Sequence, residues 1–201
     1  MRVGVYGGTF DPIHFGHLAA AEAVREAALL DLVLFVPNWQ QPLKADAPLA
    51  DGVQRLAMIQ AAIADNPAFG MSDVELMRRG RSFTITTLDE LRGQFANADI
   101  HFIVGVDGAN DMARWRLPER ILEEYRPIVM LRAGWPGPDW AVLERVHPLA
   151  KRFIRVVEVP ALNIASSDLR AQVAGGRSIR YLVPEAVRDI IDRDRLYRLD
   201  G

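Results

Sequence analysis

The sequence predicts a doubly wound α/β fold, a parallel sheet with helices on both faces, built as one domain over residues 1–201. Three observations predict it. Apolar strand-like runs alternate along the chain with helical periodicity. The first run passes through a glycine pair straight into an alanine-rich helical pattern. Half of the residues are hydrophobic, enough to cover both faces of a buried sheet.

The strand-like runs, in order, are Arg2–Tyr6, Leu32–Pro37, His101–Gly105, Pro127–Leu131 and Ile154–Val159. Each is short, apolar and bounded by turn residues. Gly70–Leu76 reads as a further extended piece at the sheet edge. Helical spacing is clearest in Leu18–Leu29, Val53–Ala64, Thr86–Gln94 and Val187–Asp192. Asp51 is placed to cap the second of these, and Pro118 and Pro184 sit where first-turn prolines belong. Gly134–Asp139 reads as a surface turn. Open sheets of this kind bind ligands beyond the carboxyl ends of their strands, where the strand order reverses. Four loops lie at such ends: Gly7–His17, Pro37–Lys44, Gly105–Asp107 and Asn163–Arg170.

Bulk composition narrows the function. A net charge of −2 argues against a broad nucleic-acid surface, which needs many phosphate neutralisations. The chain has no cysteine, which removes disulfides, thiolate nucleophiles and thiolate metal sites together. No signal-peptide succession opens the sequence, and no apolar run approaches a membrane span. The expectation is a cytoplasmic protein with small-molecule partners, neither nucleic acid nor membrane, and with homo-oligomerisation left open.

The first loop is the most informative string: Gly7-Gly8-Thr9-Phe10-Asp11-Pro12-Ile13-His14-Phe15-Gly16-His17. Paired glycines let the backbone approach a ligand, Pro12 stiffens the turn, and a helix start offers unpaired N–H groups to an anion. His14 and His17 lie one turn apart and can aim at one oxyanion. As zinc ligands they would need partners that the chain does not place nearby; as structural residues they would satisfy local backbone groups. Beside a phosphate-type loop, donation to phosphate is the leading reading. Asp11 is expected to fix its own turn.

The last loop repeats the logic. Ser166 and Ser167 open a helix, and Arg170 follows one turn later, so hydroxyls, amides and a guanidinium can reach phosphate oxygens; an ordinary capped surface helix is the alternative. Gly105 ends a strand where a nucleoside can approach, and Asp107 can accept from ribose hydroxyls or cap a helix. Trp115, between Arg114 and Arg116, offers either a flat face for an aromatic ring with cations for a carboxylate, or a packing tryptophan. Lys44 is one of only two lysines in the chain.

These strings resemble the nucleotidylyltransferase superfamily, whose strand–loop–helix ends in His-x-Gly-His, and the Gly-Gly-Thr-Phe-Asp-Pro form resembles the bacterial nicotinate-nucleotide adenylyltransferases. The tail Tyr181-Leu182-Val183-Pro184 with Leu196-Tyr197 is similar to that branch as well. The resemblance implies a Rossmann-like fold and adenylyl transfer from ATP to nicotinate mononucleotide, with Mg²⁺ carried mainly on the ATP phosphates and no protein metal cage. It implies that His14, His17 and Arg170 act on the phosphates, His17 nearest the α-phosphate. Gly7, Gly8, the Thr9 and Phe10 amides, Gly105, Asp107, Ser166 and Ser167 would bind ATP. Trp115 would stack on the pyridine ring, Thr84, Ile85, Thr86 and Arg116 would receive its carboxylate, and Lys44 and Arg132 would lie near phosphates. The serine element departs from the family's Ile-Ser-Ser-Thr-x-Ile-Arg: Ala165 replaces the first serine and Ser167 the threonine. Rival readings are a nicotinamide-mononucleotide or dual-specificity enzyme, a pantetheine-phosphate adenylyltransferase, which needs neither Trp115 nor this length, and a non-catalytic nucleotide-binding module.

Overall fold

The structure is a computed structural model and describes residues 1–39 and 48–198. Six parallel strands form one sheet: β1 (Arg2–Gly8), β2 (Leu32–Pro37), β3 (Phe69–Met71), β4 (Asp99–Gly105), β5 (Ile128–Arg132) and β6 (Arg155–Val159). Their order is β3-β2-β1-β4-β5-β6, so the winding reverses between β1 and β4. In register, Val3 stands beside Leu32 on one side and Ile100 on the other.

The helices are α1 (Phe15–Ala28), α2 (Gly52–Ile63), α3 (Val74–Arg78), α4 (Thr84–Gln94), α5 (Val106–Asn110), α6 (Pro118–Tyr125), α7 (Trp140–Val146), α8 (Ala150–Phe153), α9 (Ser166–Ala174) and α10 (Glu185–Arg193), with a 3-10 turn at Met112–Arg114. Two apolar cores result. One contains Ala21 and Val24 of α1, Met58 and Ile59 of α2, Leu169 of α9 and Val187 and Ile191 of α10. The other contains Ile85, Leu88 and Leu91 of α4, Ile121 and Leu122 of α6 and Leu143 of α7. Successive β1 residues alternate between them, Val3 and Val5 on one side and Tyr6 on the other, so both sheet faces are dry. Among the described residues, no helix is long and apolar enough to cross a membrane.

Several boundaries differ from the expectations. The extended piece Gly70–Leu76 pairs only through Phe69–Met71; Ser72 then donates its N–H to the Phe35 carbonyl, and the chain turns into α3. Helix α4 begins two residues earlier than Thr86, which brings Thr84 and Ile85 into its first turn. Pro118 is the first residue of α6, whereas Pro184 is the N-cap of α10 and not a first-turn residue. Asp51 does cap α2, in a reciprocal box with Gln54. Helices α5, α7 and α8 are seven residues or shorter, and two turns or fewer give periodicity too little length to register.

Candidate active site

At the carboxyl ends of the strands lies a cleft of about 950 Å³, centred on the β1/β4 reversal. Gly7 and Gly8 end β1 on its floor and Gly105 ends β4. A Cβ placed on Gly7 or Gly105 would meet nothing within 4 Å, so neither glycine is demanded by the protein's own packing; the open space faces the cleft. Gly8 differs, because its Cβ would stand 2.8 Å from the Phe10 ring. Phe10 adopts φ 49° and is buried, its ring 5.1 Å from that of His17 in an edge contact.

His14 is the N-cap of α1 with extended backbone and makes no side-chain cap, which leaves its ring to the cleft. The His14 and His17 rings stack at 3.7 Å and 25°. Gly16 makes room for this: a Cβ there would approach His14 Cε1 and Nδ1 to 3.0 Å. Burial holds the His14 imidazole down at about 4, with the Arg132 guanidinium adding to the effect. His17 is held well below its ordinary value by burial, by His14 and by Arg132. Both rings are therefore neutral near pH 7. Among the described residues, neither buried Nδ1 has a hydrogen-bond partner. A buried acceptor is left unpaired at less cost than a buried donor, which favours the tautomer with the proton on Nε2. Two neutral N–H donors without a charge to desolvate suit an incoming polyanion.

The late segment meets the early one here. Ser166 Oγ donates to the Pro12 carbonyl at 3.0 Å, and Arg170 Nη1 donates to the Asp11 carbonyl at 2.8 Å, across 154 and 159 residues of sequence. Ser166, Ser167 and Arg170 line the same cleft as both histidines. Ala165 is the N-cap of α9 and caps nothing, so the hydroxyl missing from the serine element is missing at the cap itself. Asp107 is exposed in the first turn of α5 and lines the cleft; Gly105 holds the N-cap position, so the capping alternative for Asp107 does not hold.

At the other end, Trp115 packs edge-on against Phe102 at 5.7 Å and also lines the cleft. Arg116 is exposed and lies 5.3 Å over the Phe83 ring, at the start of α4. Thr84 lines the cleft. Ile85 points its side chain into the core, 3% exposed, and Thr86 is not among the lining residues, so these two can contribute only through the open backbone end of α4. Arg132, at the end of β5, stands near the histidine pair, and Lys44 lies outside the described residues.

Four contributors were not visible beforehand. Asp11, 2% exposed, does not fix its own turn. It accepts from the Leu49 and Ala50 amides at 2.9 and 3.1 Å and from the Tyr197 hydroxyl at 2.7 Å. Arg55, also 2% exposed, donates to the Thr9 and Asn38 carbonyls, both at 2.8 Å, and so ties the loops after β1 and β2 together. Its one sequence signal is position: it falls on the buried stripe of α2 with Met58, Ile59 and Ala62. Glu75 lines the cleft beside α4. Trp135, half exposed beside Arg132, makes the Gly134–Asp139 turn part of the cleft wall.

The cytidylyltransferase-like family matches residues 5–172. A Roseiflexus protein named "Probable nicotinate-nucleotide adenylyltransferase" is 44% identical, over 98% of each chain. One of the same name from Thermomicrobium roseum is 42% identical over 98% of this chain and 92% of its own. In fold, the Plasmodium falciparum nicotinic acid mononucleotide adenylyltransferase complexed with NaAD superposes with a TM-score of 0.77 at 20% identity, covering 98% of this chain and 97% of that one. Sequence likeness over the whole length, joined to the cleft geometry, places this chain in the cytidylyltransferase-like family, among the bacterial nicotinate-nucleotide adenylyltransferases.

Proposed function

We propose that this protein transfers the adenylyl group of ATP to nicotinate mononucleotide, giving nicotinate adenine dinucleotide and pyrophosphate for NAD biosynthesis, and that residues 1–201 act as one nucleotidylyltransferase domain. The observation that carries the reading is the meeting of His14 and His17 with Ser166 and Arg170 in one cleft at the β1/β4 reversal. The relatives' names support the same activity.

The mononucleotide's phosphate oxygen attacks the α-phosphorus of ATP, and the bond from that phosphorus to the bridging oxygen breaks as pyrophosphate leaves. The attacking phosphate is already anionic, so no strong general base is required. The barrier is the approach of two polyanions and the charge gathered on the α-phosphate and the leaving group. The Nε2–H groups of His14 and His17, the Ser166 and Ser167 amides and hydroxyls, and Arg170 and Arg132 answer that charge. Gly105 and Asp107 take the adenosine part. Trp115 stacks on the pyridine ring, and the open end of α4 with Arg116 receives the ring's acidic substituent. Around the phosphates the wall supplies donors and cations, so Mg²⁺ would be held by ATP oxygens and water. Among the described residues, no group of three His, Asp or Glu could hold it alone.

Steady-state turnover of nicotinate and nicotinamide mononucleotides with ATP and Mg²⁺ tests the reading. Preferred turnover of the acid is expected. Turnover of neither would reject the adenylyltransferase, and equal turnover would reject its acid preference.

A further inference from the structure

The pyridine end of the cleft contains a group that the mechanism above leaves unused. Glu75, on α3, is 6% exposed and lines the cleft beside Ser82, Phe83, Thr84 and Thr87. Its Oε1 accepts from the Thr87 hydroxyl at 2.5 Å, while Oε2 is buried with no hydrogen-bond partner among the described residues. A carboxyl with one oxygen tied to α4 and the other unpartnered in the wall of a ligand site is poorly accounted for by packing alone. It also stands beside the helix end that is to receive a ligand's anionic group, where a negative charge opposes the very ligand that the helix end attracts.

We propose that Glu75 is a specificity-determining residue, whose carboxyl group sets the choice between an acidic and a neutral substituent on the pyridine ring by the charge it places at the open end of α4. The proposal rests on the adenylyltransferase reading and on the pyridine ring occupying that end. A neutral Glu75 leaves the attraction of α4 and Arg116 for a carboxylate intact. An ionised Glu75 cancels part of it, penalising the acid and sparing the amide, which carries no charge. Burial pushes this carboxyl up, and the Thr87 hydroxyl bonded to it, together with the polar surroundings of Ser82, Arg78 and the Trp39 amide, partly offsets the rise. The charged groups facing it are Arg78 from its own helix, which also pairs with Glu90 of α4 at 2.7 Å, and Arg55 from α2, whose charge is coupled to Glu75. The selectivity therefore depends on pH, and it changes as the Glu75 proton leaves.

The test is the ratio of kcat/KM for nicotinate over nicotinamide mononucleotide between pH 5 and pH 9. Titrations of ATP, of the substrate phosphates and of the histidines act on both substrates alike and cancel in the ratio. In the wild-type protein the ratio is expected to fall with rising pH by about tenfold, the scale of two like charges within about 10 Å at an effective dielectric near 20. In Glu75→Gln it is expected to stay constant. Arg78→Gln removes a neighbouring cation at a partly exposed position and is expected to move the fall to higher pH. A ratio that changes with pH equally in wild type and Glu75→Gln overturns the proposal, as does a flat wild-type ratio. Should Glu75→Gln fail to fold, an unmoved transition in Arg78→Gln overturns it. A wild-type protein inactive on both mononucleotides instead rejects the adenylyltransferase reading, and the assignment with it.

Discussion

In the proposed reaction the stacked imidazoles of His14 and His17 carry the chemistry. On that proposal each is a neutral donor to charge that grows in the transition state, so His17→Ala is expected to lower kcat by at least ~10²-fold in a pyrophosphate-release assay. Near-normal turnover would remove His17 from the mechanism. The same burial has a cost in stability. For His14 the folded value of about 4 lies below the ordinary 6.5. As pH falls through that window, the unfolded chain takes up a proton that the folded protein refuses, and stability declines; above about pH 7 the contribution is flat. His17 acts in the same direction. Urea unfolding at pH 7.5 and pH 5 measures the decline, and a His14→Gln, His17→Gln double variant should show a shallower one. These two residues, Gly105 and Ser166 were legible in the sequence because a short string carries each signal. Arg55, Asp11 and Glu75 were not, because the groups they touch lie 38 residues away or more for Asp11, in two separate loops for Arg55 and on the next helix for Glu75.

Among the elements, α9 shows how one departure from a family pattern becomes a local defect. Ala165 has the extended backbone of an N-cap, φ −121° and ψ 138°, without an oxygen to accept from the first turn. Ala165→Ser is expected to stabilise the folded protein by about 0.5–1 kcal/mol, the usual worth of a restored cap, read as a raised urea midpoint at unchanged slope. No gain, or a loss, would mean that the site's open amide is needed elsewhere. The longer helices α1, α2 and α4 were predictable because three or more turns repeat an apolar stripe against the sheet. The short helices on the β4–β6 side escaped because their lengths come from packing between strands, and tertiary contact decides where such pieces start.

Across the whole molecule, the tail is bound into the site. The Tyr197 hydroxyl donates to Asp11, 186 residues earlier, and Asp11 in turn lies under Arg170 at 3.9 Å. Tyr197→Phe is expected to destabilise the fold by about 1.5–3 kcal/mol, the scale of a hydrogen bond to a charged group that is left buried, and to raise KM for ATP through the loosened first loop. A stability change without a KM change would confine Tyr197 to packing. The sequence by itself determined the alternating strands, the parallel sheet and the glycine–histidine string of the first loop, since local periodicity and adjacent residues carry that information. Only the tertiary structure decided the strand order, the meeting of the first loop with Ser166 and Arg170, and the burial of Asp11, Arg55 and Glu75. The physical reason is that Asp11 and Arg55, as buried polar groups, are paired wherever the folded chain brings a partner, and the separation of those partners along the polypeptide follows no local pattern.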